Sequence, residues 1–178
     1  MTQQRRLIII GGQEGAGKST IIRALLPHTP DAARIDAEDI GQTNPHSAMD
    51  DAFFDLLRRN VAALVENFWR AGYRNVVAGS FLRDYRDYAA FRRLLTQPSA
   101  VFLVELLVAK RVRDHRRLTR AKQTTQEWRD RVDQIPEDLT IRQASNADYR
   151  YLGVDTTQLD IAETVRRITE AIPEIYAP

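Results

Sequence analysis

Cysteine is absent from the 178 residues, which excludes a disulfide framework, a thiolate zinc site and a cysteine nucleophile, and is compatible with a reducing compartment. Lysine is almost absent: Lys18, Lys110 and Lys122 are the whole supply, and arginine carries the rest of the positive charge. A lysine inside a motif therefore weighs more than it would in a lysine-rich chain. No apolar run approaches the roughly 20 residues that span a bilayer. The first six residues are followed by only Leu7, Ile8, Ile9 and Ile10 before Gly11 and Gly12, too short a stretch for the apolar core of a secretory leader. A cytoplasmic protein without membrane attachment is the expectation. Internal repeats, low-complexity tracts and Gly/Ser linkers are also missing, and the length suits one domain over residues 1–178, with its own core. A formal net charge of only +2 sets up no broad field, so nucleic acid is not an expected partner. Either a monomer or a homodimer fits.

Against these absences stands Gly12-Gln13-Glu14-Gly15-Ala16-Gly17-Lys18-Ser19, which matches G-x-x-x-x-G-K-[ST] at every position. It follows an apolar run and precedes Ile21-Ile22-Arg23-Ala24-Leu25-Leu26, so it reads as strand, tight loop and helix, the context a phosphate-cradling loop needs. Glycine lets backbone N–H groups curl around an anion, and the helix that follows aims its positive end at the same point. Gly12, Glu14, Gly15, Ala16, Gly17, Lys18, Ser19 and Thr20 are thus the expected contacts to a nucleoside triphosphate. Lys18 would reach the β- and γ-phosphates, and the Ser19 hydroxyl would hold Mg²⁺.

Further along, residues 33–36 read as a second strand and residues 44–47 as a turn. Phe53, Phe54, Leu57, Val61, Leu64, Val65 and Phe68 recur at helical spacing on one face, ending at Gly72. Residues 75–79 form a third strand, 85–95 a helix, and 100–107 an apolar run broken only by Glu105, as in a strand buried on both faces. An Arg-rich helix over 108–120, a strand at 151–154 and a closing helix striped by Ile161, Val165, Ile168 and Ile172 complete the pattern. Strands alternating with helices predict a parallel sheet covered on both sides, with ligands at the carboxyl ends of its strands.

Those ends carry the remaining candidates. Asp36, Glu38 and Asp39 follow the second strand directly. Beside an anion-binding loop they would repel phosphates unless they serve a cation or an acceptor hydroxyl. One can take the hydroxyl proton while another, Glu38, supports the Mg²⁺ shell; the competing reading is a solvated turn that caps a short helix. The third tip, Gly79-Ser80-Phe81-Leu82-Arg83, lacks the acid that motor ATPases place there. Gly79 would admit a substrate close to the backbone, with Ser80 or Arg83 binding it; a plain turn with a surface arginine is the alternative. Arg113, Arg117 and Arg120 share a helix face, and closing over the phosphates would stabilise charge on a migrating phosphoryl group. A nucleic-acid stripe would need interleaved aromatics, which are missing, and a bland surface helix is the third reading. Asp155 would line an adenine ring or cap the last helix. His28, His46 and His115 have no metal-ligand spacing, and Trp69 and Trp128 read as packing residues.

The chain resembles the small P-loop kinases, the group with shikimate, gluconate and adenylylsulfate kinases and chloramphenicol phosphotransferase. The likeness rests on residues 12–19, on Asp36-Ala37-Glu38, on the Arg-rich segment and on the last strand and helix. It implies an α/β, three-layer P-loop NTPase fold with a five-stranded parallel sheet in the order 2-3-1-4-5. It also implies Mg²⁺-ATP as donor, a mobile lid at about residues 110–147, and Asp36 against the acceptor hydroxyl. Glu38 stands where several relatives have Asp. The expected activity is transfer of the γ-phosphoryl group of ATP to a hydroxyl of a small molecule, with Lys18, Asp36, Arg117 and Arg120 as the catalytic set. The rival is a nucleotide-dependent ATPase or switch; neither an Asn-Lys-x-Asp guanine motif nor a convincing Asp-x-x-Gly switch is present.

Overall fold

The structure, a computed structural model, describes residues 4–43, 50–119, 124–135, 140–143 and 148–177. In chain order its elements are β1 (Arg5–Gly11), α1 (Lys18–Leu25), a 3-10 turn (Leu26–His28), β2 (Ala32–Asp36), α2 (Ala37–Ile40), α3 (Asp51–Arg70), β3 (Asn75–Gly79) and α4 (Tyr85–Arg92). Then follow β4 (Ser99–Leu107), α5 (Lys110–Thr119), α6 (Gln126–Asp133), α7 (Thr140–Gln143), β5 (Arg150–Asp155), α8 (Ile161–Ala171) and α9 (Pro173–Tyr176).

Local chemistry sets most boundaries. Pro27 follows α1 and sits in the 3-10 turn, since proline offers no N–H to continue the ladder. The Asp50 carboxylate accepts from Phe53 N at 2.9 Å to start α3, and Gly72 at φ +99° closes it, the usual polar start and glycine stop. α4 is shorter than the expected 85–95. It ends at Arg92 in two tight turns, Leu94 N to Phe91 O and Leu95 N to Arg92 O. The expected turn at residues 44–47, His46 included, lies outside the described residues.

The sheet order is β2-β3-β1-β4-β5, every pairing is parallel, and both the order and the three layers are as expected. Period-2 alternation sends Leu7 and Ile9 to the layer under α3 and α4, and Ile8 and Ile10 to the layer under α1 and α8. All four are buried because both faces are covered, which is why the run shows no polar alternation. Among the described residues no helix is long and apolar enough to cross a membrane.

The register fixes the site. Ile10 is paired with Gly79, and Gly79 with Asp36, so these three form one row near the carboxyl edge. Asp36 therefore lies two strand spacings, about 10 Å, from the residue two places before Gly12. Gly79 occupies this row for a reason other than the one expected. A Cβ there would meet Ile10 O at 2.6 Å and Ile22 Cδ1 at 2.7 Å, so the space is filled by β1 and α1 and is not open to a substrate. Gly79→Ala is expected to lower stability by about 1–3 kcal/mol through overpacking. That is a fall of several degrees in Tm for a chain of this size. An unchanged melting curve would show that α1 can lift from the sheet without cost.

Candidate active site

The loop between β1 and α1 holds Gly12, Gly15 and Gly17 at φ +128°, +85° and +96°, a region closed to most L-residues. At Gly12 a Cβ would sit 2.7 Å from Leu106 O, so the loop lies directly on the end of β4. The Lys18 ammonium folds back over the loop, donating to Gly12 O at 3.0 Å and Gln13 O at 3.2 Å. Ser19 and Thr20 lie in the first turn of α1, which contains no acid to neutralise the helix N-terminus. The loop thus offers backbone N–H groups, a helix end and an ammonium to an anion.

Asp36 ends β2 and is 5% exposed. Its Oδ1 accepts from Glu38 N at 3.2 Å and caps α2. Capping engages one carboxylate oxygen, so the cap and an active-site role are compatible. Glu38 and Asp39 are exposed on α2. Among the described residues there is no cluster of three His, Cys, Asp or Glu suited to a metal. Mg²⁺ keeps several waters and relies on phosphate oxygens and one or two protein ligands; the hydroxyl beside the loop is that of Ser19.

Past Gly79 the chain enters Ser80 at φ +68°, and the Ser80 Oγ is buried without a hydrogen-bond partner among the described residues. Strain and an unsatisfied hydroxyl together at a strand's carboxyl end are costly features that a binding site can use. Arg83, expected to meet the acceptor, is instead engaged. Its Nε and Nη2 donate to the two Asp87 oxygens at 2.8 and 3.1 Å, and its Nη1 to Asp51 at 2.9 Å. The guanidinium also lies 4.1 Å from the Phe54 ring centroid. Asp87, 4% exposed, additionally accepts from Arg58 Nη1 at 2.5 Å. Burial alone would push the Asp87 carboxyl up, but the hydrogen bonds from Arg83 and the nearby Arg58 charge hold it below the usual range. Arg83 is thus part of a knot that ties the β3 tip to α3 and α4.

The arginine helix also departs from the expected arrangement. Arg117 is 1% exposed beneath the phosphate loop and does not stand free over a bound phosphate, whereas Arg113 is only partly engaged: its Nη1 donates to Val108 O at 2.7 Å, and its buried Nε has no hydrogen-bond partner among the described residues. Arg120 lies outside the described residues. Arg116 was not among the expected site residues, yet its Nη1 donates to Ala16 O at 3.1 Å and its Nη2 to Thr156 O at 3.4 Å, joining the loop to the end of β5. The spacing carried the signal, because Arg116 is i+3 from Arg113 and i−4 from Arg120. Asp155 does not cap α8, which Asp160 does through Glu163 N at 2.8 Å. Asp155 Oδ1 accepts from Thr157 N at 2.9 Å, and hydrogen bonding by Thr157 keeps its carboxyl below the usual range. Thr157 in turn accepts from Ala109 N at 3.0 Å, which fastens this tip to the start of α5.

Comparison with known proteins gives a family and a fold. The Zeta toxin family profile matches residues 1–171. Similar structures include a sugar kinase from Janibacter sp. HTCC2649, 14% identical, covering 98% of this chain and 96% of that one at a TM-score of 0.71. The tunicamycin resistance protein of Deinococcus radiodurans is 18% identical over 98% and 99% of the two chains, at a TM-score of 0.64. Shikimate kinase from Acinetobacter baumannii is 18% identical over 96% and 94%, at 0.58. At these identities the likeness is one of fold. No curated protein matches the sequence significantly.

Proposed function

The chain belongs to the Zeta toxin family, and from that premise we propose that it is a phosphotransferase that moves the γ-phosphoryl group of ATP to a hydroxyl of a small molecule. The observation that carries this reading is the row Ile10, Gly79, Asp36. It sets a buried carboxylate about two strand spacings from the start of a glycine-rich, lysine-bearing loop. One strand end offers positive charge to a phosphate chain, and another offers an acceptor for a hydroxyl proton.

In this reading the loop amides and Lys18 bind and orient the triphosphate, and Asp36 aligns the incoming hydroxyl. An oxygen–phosphorus bond forms as the bond from the γ-phosphorus to the β–γ bridging oxygen breaks, and the hydroxyl proton passes to Asp36. Catalysis is then mainly positioning and charge stabilisation. Mg²⁺, when bound, would neutralise phosphate charge; Ser19 would hold it directly, and Glu38, exposed just past the end of β2, would support its waters. Ser80, with its unsatisfied hydroxyl between the two strand ends, is the further residue offered to the acceptor. Residues 110–147, α5 and α6 among them, are the proposed lid.

The acceptor dependence of turnover tests the proposal. With Mg²⁺-ATP alone, ADP release should be slow. Adding pooled hydroxylated metabolites, sugars, nucleotide sugars and hydroxylated antibiotics, in separate fractions, should raise it at least tenfold with one fraction. Fast hydrolysis that no fraction changes would instead mark a nucleotide-dependent switch.

A further inference from the structure

Arg117 is the largest fully buried side chain of the described residues, and it sits beside the one loop whose backbone geometry matters most. A buried guanidinium is tolerated only when it is paired, and each nitrogen of this one has an acceptor. Its Nε and Nη2 donate to the Glu14 carbonyl at 3.1 and 2.8 Å, and Nε lies 2.6 Å from Glu14 Oε2. Its Nη1 donates to Asp114 at 3.2 Å and to Asp133, the last residue of α6, at 2.8 Å. Lys110 Nζ, 2.7 Å from Asp114 and 2.8 Å from Asp133, holds the outer side of both acids. The phosphate loop, α5 and α6 therefore meet at one fork.

The fork has a directional consequence. A trans peptide is planar, so the Glu14 C=O and the Gly15 N–H point in opposite directions. Two hydrogen bonds that hold the Glu14 carbonyl toward Arg117 turn the Gly15 N–H away from it. That N–H is one of the loop donors a phosphate would use. Gly15 also has no room to turn back with a side chain, since a Cβ would meet Arg117 Cγ and Nε and Arg113 O at 3.1 Å each. We infer that Arg117 is a positioning residue: it presets the Gly15 amide for phosphate and, through Asp133, makes that setting depend on where α6 lies. It does not itself touch the phosphates. The inference rests on the nucleotide-binding half of the reading above.

Titration calorimetry with Mg²⁺-ATP and with Mg²⁺-ADP separates the possibilities, using the full chain as wild type, Arg117→Met, Asp133→Asn and the double variant. Because the loop amide serves both nucleotides, Arg117→Met should weaken ATP and ADP by the same factor, about tenfold or more. Asp133→Asn, which reaches no nucleotide, should weaken both by about threefold. The double variant should match Arg117→Met, since both act through one connection. Stoichiometry near one with a changed Kd distinguishes this from a partly unfolded sample, which loses sites and keeps its Kd. A loss confined to ATP would make Arg117 a γ-phosphate contact and overturn the inference, as would wild-type affinity in Asp133→Asn or additive losses in the double variant. If Arg117→Met fails to fold, Asp133→Asn decides by the same criterion. Wild-type protein that binds neither nucleotide overturns the nucleotide reading itself, a result distinct from tight wild-type binding with unaffected variants.

Discussion

Replacing Lys18 by alanine should reduce phosphoryl transfer by on the order of 10²-fold or more while the fold persists. Lys18 is one of only three lysines, and its ammonium already arches over the loop, within 3.0 and 3.2 Å of the Gly12 and Gln13 carbonyls. Those contacts are charge-assisted hydrogen bonds, each contributing about 1.5–3 kcal/mol, so their loss should lower Tm by on the order of 10 °C with the fold intact. The loss of a preset positive charge where phosphate charge develops is far larger in its effect on rate. The pair of measurements is initial rate with the responsive acceptor and a thermal melt. Transfer at the wild-type rate in a protein that melts normally would remove Lys18 from the site.

Asp36→Asn should leave Mg²⁺-ATP affinity within about threefold and cut transfer by roughly 10²- to 10⁴-fold, the range for loss of a positioned general base. The substitution is chosen because asparagine caps a helix as well as aspartate does. The hydrogen bond from Glu38 N at 3.2 Å is therefore kept and the start of α2 is not disturbed. Asparagine can still sit in the row with Gly79 and Ile10, but it cannot take a proton. Asp36→Ala adds the lost cap, about 0.5–2 kcal/mol, so comparing the two variants separates chemistry from local stability. Unchanged transfer in Asp36→Asn would reduce Asp36 to the cap alone, and the proposed acceptor site would have no centre.

The signals that single out these two residues are local in the amino-acid sequence. Lys18 lies in a motif whose glycines, lysine and serine are fixed by spacing within eight positions. Asp36 ends the short segment Ala32-Ala33-Arg34-Ile35, whose direction follows from the alternation of elements. The four-residue run at 7–10, the long stripe of α3 and the apolar β4 announced themselves through period and burial on one or both faces. The sheet order came from resemblance, not from these patterns, and the structure has the same order.

Arginine fates were different in kind. Arg113, Arg116 and Arg117 are chemically alike and lie on neighbouring positions of one helix, and periodicity groups them without ranking them. Arg117 ends up paired with a carbonyl 103 positions away in the chain, Arg116 bridges Ala16 and Thr156, and Arg83 is claimed by Asp87 and Asp51. Gly79 likewise looks from its neighbours like an opening for a ligand, and becomes a contact with Ile10 and Ile22. By itself the amino-acid order determined the layered fold class and the phosphate loop, because both are written in short-range spacing and backbone permissiveness. Only the tertiary structure decided which cations are engaged within the protein and which strand ends meet. Those outcomes depend on which distant partners packing brings within about 3 Å, and a buried charge goes to whichever partner is there.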